Sequence, residues 1–286
     1  MDNPNETFKV IGKSGFPFQL RVEDEIRSTS STHQWSIASH ENPWNHPEYA
    51  SSGFIDLVLK HDQIPTLRLA IECKRIRAED SRQLQWIFLL PNKSQSETEL
   101  ASCLEVEGQN KTGNPRDWKD HRIWDNVRTT PLSLESEFCI LIGDDQKKQP
   151  ILEGIASQLL DSVEGLAQEE ISLQLSQLVP AHLRLFIFPT IVTNAEIVVC
   201  VFDPSAVNIK DGTLDIVSAE LRTVPFIRFR KSLETKFPGG SYRSLRDANA
   251  ARERTVFVVN ATSIQDFLNG WSIQPIGMYA TQKITL

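Results

Sequence analysis

Apolar positions recur at two spacings along this chain, and the switch between them predicts its elements. Phe18, Val22 and Ile26 fall four residues apart in FPFQLRVEDEIRS, which predicts a helix over 16–28 with Pro17 in its first turn. QWSIASH (34–40) reads as a short strand, followed by the polar loop ENPWNHPEYASSG. Two apolar strands then cover 54–60 and 66–74, turned by the segment His61–Pro65. LQWIFLL (84–90) and EFCILIG (137–143) are further strands. Between them, residues 91–135 are rich in Ser, Gln, Asn, Lys and Trp, which predicts a loop-rich insertion with one short strand near ASCLEVEG.

The longest helical pattern is ILEGIASQLLDSVEGLAQEEI (151–171), where Ile151, Ile155, Leu159, Val163, Leu166 and Ile171 keep close to one face. LRLFIFPTIV and EIVVCVFD flank Thr-Asn-Ala and read as the two strands of a hairpin. VPFIRFRKS (224–232) and TVFVVN (255–260) are later strands. Ser263 and Asp266 have the spacing of a capping box, opening a short helix that Gly270 closes. No fixed period repeats and no linker divides the chain. Residues 1–286 therefore read as a single mixed α/β domain carrying an insertion at 91–135.

Composition narrows the class without naming it. A hydrophobic share of 40% and a charged share of 23% are those of an ordinary folded domain. The net charge of −7 gives no global basic footprint, so a polyanion would have to meet a local basic surface. Cys73, Cys103, Cys139 and Cys200 are far apart and form no CxxC pair, which argues against a zinc knuckle or a disulfide framework and suits reduced thiols. The first residues, MDNPNETFKV, lack the basic and apolar stretches of a secretory signal, and no apolar run reaches membrane-spanning length. The expectation is a cytoplasmic protein without membrane contact.

Candidate chemistry gathers in FIDLVLKHDQIPTLRLAIECKR (54–75). Asp56 interrupts a strand that is apolar on both faces, and a carboxylate there costs several kcal/mol unless cations or donors neutralise it. In the next strand Arg68, Ala70, Glu72 and Lys74 share one face. If the two strands pair antiparallel with facing residue numbers of even sum, Asp56, Glu72 and Lys74 share a face; an odd register separates them. Two carboxylates with an ammonium group can hold Mg²⁺ (or Mn²⁺) and counter phosphate charge. The competing reading is a solvated amphipathic strand, which explains Glu72 and Lys74 well and Asp56 poorly.

Other signals are weaker. GKSG (12–15) lacks the upstream glycine of a phosphate loop, and no GxSxG elbow occurs. His33, His40, His46 and His61 read as solvated loop residues, with His46 a candidate for substrate contact. Arg228, Arg230, Lys231, Arg243 and Arg246, together with Arg252 and Arg254, form the one concentrated basic segment. They are candidates for nucleic-acid binding, or alternatively form a solvated face neutralised by Asp247 and Glu253. Trp118 and Trp124 in the insertion are candidates for stacking on bases or for anchoring the loop.

An acidic residue inside an apolar strand, followed some fifteen residues later by Glu-x-Lys ending the next strand, resembles the PD-(D/E)XK nuclease superfamily. The resemblance covers about the first two-thirds of the chain, with Ile55 standing where the family has proline. It implies a restriction-endonuclease-like core, an α/β fold with a mixed central sheet flanked by helices, here with an insertion and extra C-terminal strands. It also implies a Mg²⁺-dependent endonuclease acting on DNA in restriction, phage defence or repair, with Asp56 and Glu72 as metal ligands and Lys74 at the attacking water. A glutamate of the first helix, Glu25 in preference to Glu23, is a further ligand on this reading. A homodimer or a partner subunit goes with such a system. The alternative is a relative that binds nucleic acid or acts as a scaffold without cutting.

Overall fold

A computed structural model describes residues 4–46, 51–64, 67–76, 85–91, 97–98, 100–107, 118–121, 130–142, 151–176, 184–234 and 241–271. The chain opens with helix α1 (Pro4–Lys13), which the sequence pattern left unassigned, and α2 (Phe16–Ser28), at the bounds predicted. Three antiparallel strands follow: β1 (Trp35–Asn45), β2 (Ser52–His61) and β3 (Leu67–Lys74). β1 is longer than expected, because ENPWN continues the strand beyond a bulge between Ile37 and Ser39.

The middle of the chain supplies β4 (Gln85–Pro91), β5 (Ala101–Glu107), β6 (Trp118–His121), β7 (Glu135–Ser136) and β8 (Phe138–Ile142). Helix α3 (Ile151–Ser176) leads to β9 (Arg184–Thr193) and β10 (Glu196–Phe202). The chain continues through β11 (Ala219–Thr223), β12 (Phe226–Ser232), α4 (Leu245–Ala250), β13 (Glu253–Asn260) and α5 (Ile264–Asn269).

Two sheets result. The larger is mixed and has nine strands in the order β1-β2-β3-β9-β13-β12-β7, with β5 and β6 branching from β9. β9 lies at its centre, parallel to β3 on one side and to β13 on the other, while β5 runs antiparallel along its first residues. The region 91–135 is thus built into the main sheet where it is described: β5 pairs β9, and Thr98 bridges Ser133. The smaller sheet has four strands in the order β11-β10-β4-β8.

Strand alternation divides the core in two. On one face of the large sheet Ala70, Ile191, Val256 and Val258 pack with α3 and with Phe88 and Val199 of the small sheet. On the other face Leu57, Leu69, Ile71, Val192 and Phe257 pack with α2 and α5. α3 can approach β1 closely because Gly165 has no side chain; a Cβ there would lie 3.1 Å from Asn45 O and from Trp44 Cβ.

Two expectations change. β9 and β10 do not form a hairpin, because each pairs in a different sheet, and Asn194 between them is bonded by its side chain to Ile76 N and O at 2.7 and 3.0 Å. Ser263 makes no capping hydrogen bond either: the Asn260 side chain accepts from Thr262 N instead, opening a 3₁₀ turn over Ala261–Ser263 that runs into α5.

Candidate functional site

The β2–β3 ladder sets Leu57 opposite Ile71 and Lys60 opposite Arg68, the even-sum register on which the shared face depends. Leu57, Leu59, Leu69, Ile71 and Cys73 point to the α2 side. Glu72 and Lys74 therefore fall on the face of Ala70, toward α3. Alternation breaks at Asp56, because Ile55 packs with Val58 in the α3-side core while Leu57 lies on the α2 side.

The paired residues of the ladder stop at Leu57 and Ile71. Beyond them the Asp56 side chain takes over: its Oδ2 accepts from Cys73 N at 2.7 Å. The carboxylate is thereby fixed by a backbone donor rather than by a cation. Lys74 Nζ lies 2.6 Å from Glu72 Oε1, so the ammonium charge is directed first to Glu72.

The register of β1 brings in a residue that the sequence did not flag. His40 faces Leu57 and Asn42 faces Ile55, which sets Glu41 level with Asp56. Glu41 is also the one non-glycine residue with positive φ among the described residues, at 47°. Its carboxylate accepts from Gln19 Nε2 of α2 at 2.5 Å, and the same amide lies 3.4 Å from Asp56 O. Burial first, then the charges of Glu72 and Glu41, push the Asp56 carboxyl up from 3.8 to about 7, against the Cys73 N–H bond and the Lys74 charge, which lower it.

Helix α2 does not supply the expected carboxylate. Glu25 is held by Arg21 at 2.6 Å on the outer side of the helix. Glu23 is buried but is bonded by Arg27 at 2.7 Å and lies 3.4 Å from His40, and the Arg27 bond leads the causes that lower its pKa. The face that packs on the sheet is Gln19, Val22, Glu23 and Ile26, and Gln19 is its member at Asp56. Gln19 and Glu41 were missed because their positions depend on the helix rotation and on the bulge in β1. The one sequence signal for Gln19 is its i, i+3, i+7 spacing with Val22 and Ile26.

The basic segment is mostly turned inward, which corrects the nucleic-acid assignment of three residues. Arg228 is 0% exposed and donates to Ser133 Oγ and O, Thr130 Oγ1 and Pro131 O, with its guanidinium 5.1 Å from the Phe257 ring centroid. Arg230 is buried and grips Asp120 through two bonds of 3.0 and 2.8 Å. Lys231 is 2.8 Å from Glu153 of α3. A strand inside a two-layer core sends its side chains to packed faces, so charges there need internal partners. Arg243 and Arg246 are exposed and keep the role open.

The histidines are corrected as well: His33, His46 and His61 are buried rather than solvated. His46 Nε2 lies 3.0 Å from Glu164, which also accepts from Trp118 Nε1 at 2.9 Å, so both are tied into the α3 packing. That gives Trp118 an anchoring role; Trp124 lies outside the described residues. The four cysteines are free thiols.

Among the described residues, no three His, Cys, Asp or Glu side chains are grouped so as to hold a metal ion. A Mg²⁺ site needs fewer, since this ion commonly takes one or two carboxylates and retains waters. Asp56 and Glu72 have the hard-oxygen chemistry, and the Glu72 charge, which after burial does most to raise the Asp56 pKa, is a repulsion that a cation would relieve. No helix among the described residues is long and apolar enough to cross a membrane. No family model, no curated protein and no solved structure matches the chain.

Proposed function

We propose that the Asp56–Glu72–Lys74 cluster is the active site of a Mg²⁺-dependent phosphodiesterase acting on DNA. The observation that carries this reading is Asp56 itself. It is a carboxylate at a break in a buried ladder, oriented by Cys73 N–H, and pushed up to about 7 by burial and by Glu72 and Glu41. Its bond to Cys73 N continues the ladder, but that structural role does not call for the neighbouring charges of Glu72 and Glu41.

With β4–β8 intervening between β3 and α3, the order α2, β1, β2, β3, α3, β9, with β3 and β9 parallel, follows that expected of a restriction-endonuclease-like core and supports the same reading. Asp56 and Glu72 would hold the metal. When bound there, a divalent cation lowers the pKa of a coordinated water and offsets charge on the phosphate. Lys74 supplies a further positive charge beside the phosphate and orients the attacking water. Gln19 keeps Glu41 in place next to the pair.

The test is cleavage of linear and supercoiled DNA with Mg²⁺ or Mn²⁺ against EDTA. Wild-type protein cuts only with metal, and Asp56→Asn or Lys74→Ala abolishes cutting while leaving the fold intact. Undiminished cleavage by both variants refutes the site.

A second reading, a nuclease-like fold that binds nucleic acid without cutting, is favoured by two observations. α2 brings an amide rather than a carboxylate to Asp56, and Lys74 is engaged by Glu72. Calorimetry separates the two: Mg²⁺ binding that vanishes in Asp56→Asn supports the enzyme. Metal-independent, salt-sensitive DNA binding by both proteins supports the binding module.

A further inference from the structure

The small sheet ends on an edge that nothing in the described structure covers. β11, with the sequence AELRT, is hydrogen-bonded only through β10, and four of its five residues are exposed. Its pairing with β10 runs without a bulge from Thr223–Val198 to Ala219–Phe202, and the strand contains neither proline nor lysine. Such an edge offers a full row of backbone donors and acceptors to another strand. β1, at the edge of the large sheet, is blunted by contrast through its bulge and Pro43.

The side chains of β11 specify which strand fits. A two-fold axis perpendicular to the sheet pairs an edge strand antiparallel with its own copy. Centred on Leu221, that axis sets Leu221 against Leu221, Glu220 of each copy against Arg222 of the other, and Ala219 against Thr223. Shifting the axis by one residue sets Glu220 against Glu220 or Arg222 against Arg222, and like charges directly opposite are destabilising. The sequence is self-complementary in one register.

The apolar face adds to the charge pattern. Register runs Leu221 to Cys200 to Leu89 to Phe138 across the small sheet, on the side away from Val199 and Val201 in the core. Leu221 is 64% and Phe138 50% exposed, so the row is open at both ends. Ile216 and Val217, immediately before β11, are 87% and 93% exposed and lie at the end of the same seam.

We propose that β11 is the seam of a homodimer in which the two four-stranded sheets join into one eight-stranded sheet, with Leu221 on the axis and two reciprocal Glu220–Arg222 pairs flanking it. The within-strand contact of Arg222 Nε with Glu220 Oε1, at 3.4 Å, is exchanged for these cross-strand pairs. The seam stands whether or not the protein cuts DNA.

Sedimentation equilibrium over a concentration series tests it, with thermal melts to show that each variant is folded. Wild-type protein dimerises at micromolar concentration. Arg222→Glu alone and Glu220→Arg alone each weaken the dimer about tenfold or more, because each creates two like-charge crossings. An equimolar mixture of the two single variants restores opposite charges at both crossings, and so does the double variant Glu220→Arg/Arg222→Glu. Both recover wild-type affinity within about threefold. A wild-type monomer up to about 100 µM overturns the proposal. So does a dimer indifferent to the single substitutions, or one that neither the mixture nor the double variant restores.

Discussion

Two strands of the large sheet carry charge into apolar surroundings, and they treat it in opposite ways. In β12, Arg228 and Arg230 are surrounded by acceptors: four oxygens from residues 130–133 for the first, and Asp120, Glu253 and Thr255 for the second. In β2, Asp56 has one backbone donor, and burial first, then its two acidic neighbours, raise its proton affinity. Satisfied charge fixes structure, whereas charge left in conflict with its surroundings is kept at a cost to stability. The second condition is the one expected of a group retained for chemistry.

The sharpest way to break this comparison is Arg228→Met. Losing the guanidinium leaves the Ser133, Thr130 and Pro131 oxygens without their donor, and urea unfolding should show a loss of about 3–5 kcal/mol. A loss like that of an exposed arginine would mean that the socket is not structural.

Asp56→Asn should act in the other direction, stabilising the protein by about 2–4 kcal/mol at pH 8, since each unit of pKa displacement is worth about 1.4 kcal/mol. The sign follows from the raised pKa. Between pH 3.8 and about 7 the folded state holds a proton on Asp56 that the unfolded chain has released, so wild-type stability falls as pH rises through this window. The variant lacks that slope, so the two unfolding curves converge near pH 4 and separate by pH 8. Added Mg²⁺ at pH 8 should raise the wild-type melting temperature and leave that of the variant unchanged.

Arg230→Lys keeps the charge but not the two-pronged grip on Asp120, and should cost about 1–2 kcal/mol in the same assay. Smallest of all, Arg243→Ala and Arg246→Ala should each change stability by less than about 0.5 kcal/mol. Titrations against salt should instead show weaker DNA binding, with the slope reduced by about one per residue removed. A large stability loss there would place these side chains with Arg228 rather than at the surface.

The contrast was only half legible in the sequence. Asp56 stands out because an acid inside FIDLVL has no bland explanation, and the helix 16–28 follows from a spacing that tertiary contacts reinforce. The even β2–β3 register was one of two parities, chosen by which side chains the core buries. Glu41 could not be placed, since a single extra residue between Ile37 and Ser39 decides what it faces. Arg228, Arg230 and Lys231 looked like a basic surface because their partners, Pro131, Asp120 and Glu153, are distant in sequence. The apparent hairpin after β9 failed for a related reason: Thr-Asn-Ala permits a turn, but β3 and β13 are better neighbours for β9 than β10 is.

The central place of β9 bears on the order in which the molecule is assembled. α2 and β1–β3 lie within residues 16–74, so the scaffold of the acidic site closes through short loops. β9, at 184–193, must find β3 more than a hundred residues behind it and β13 some sixty ahead. Pairings of such separation are slow to form, because the loop entropy is lost before the contacts are gained. During synthesis the meander around Asp56 can therefore form while the binding socket of Arg228 does not yet exist. The large sheet joins its two halves only once β13, at residues 253–260, has been made.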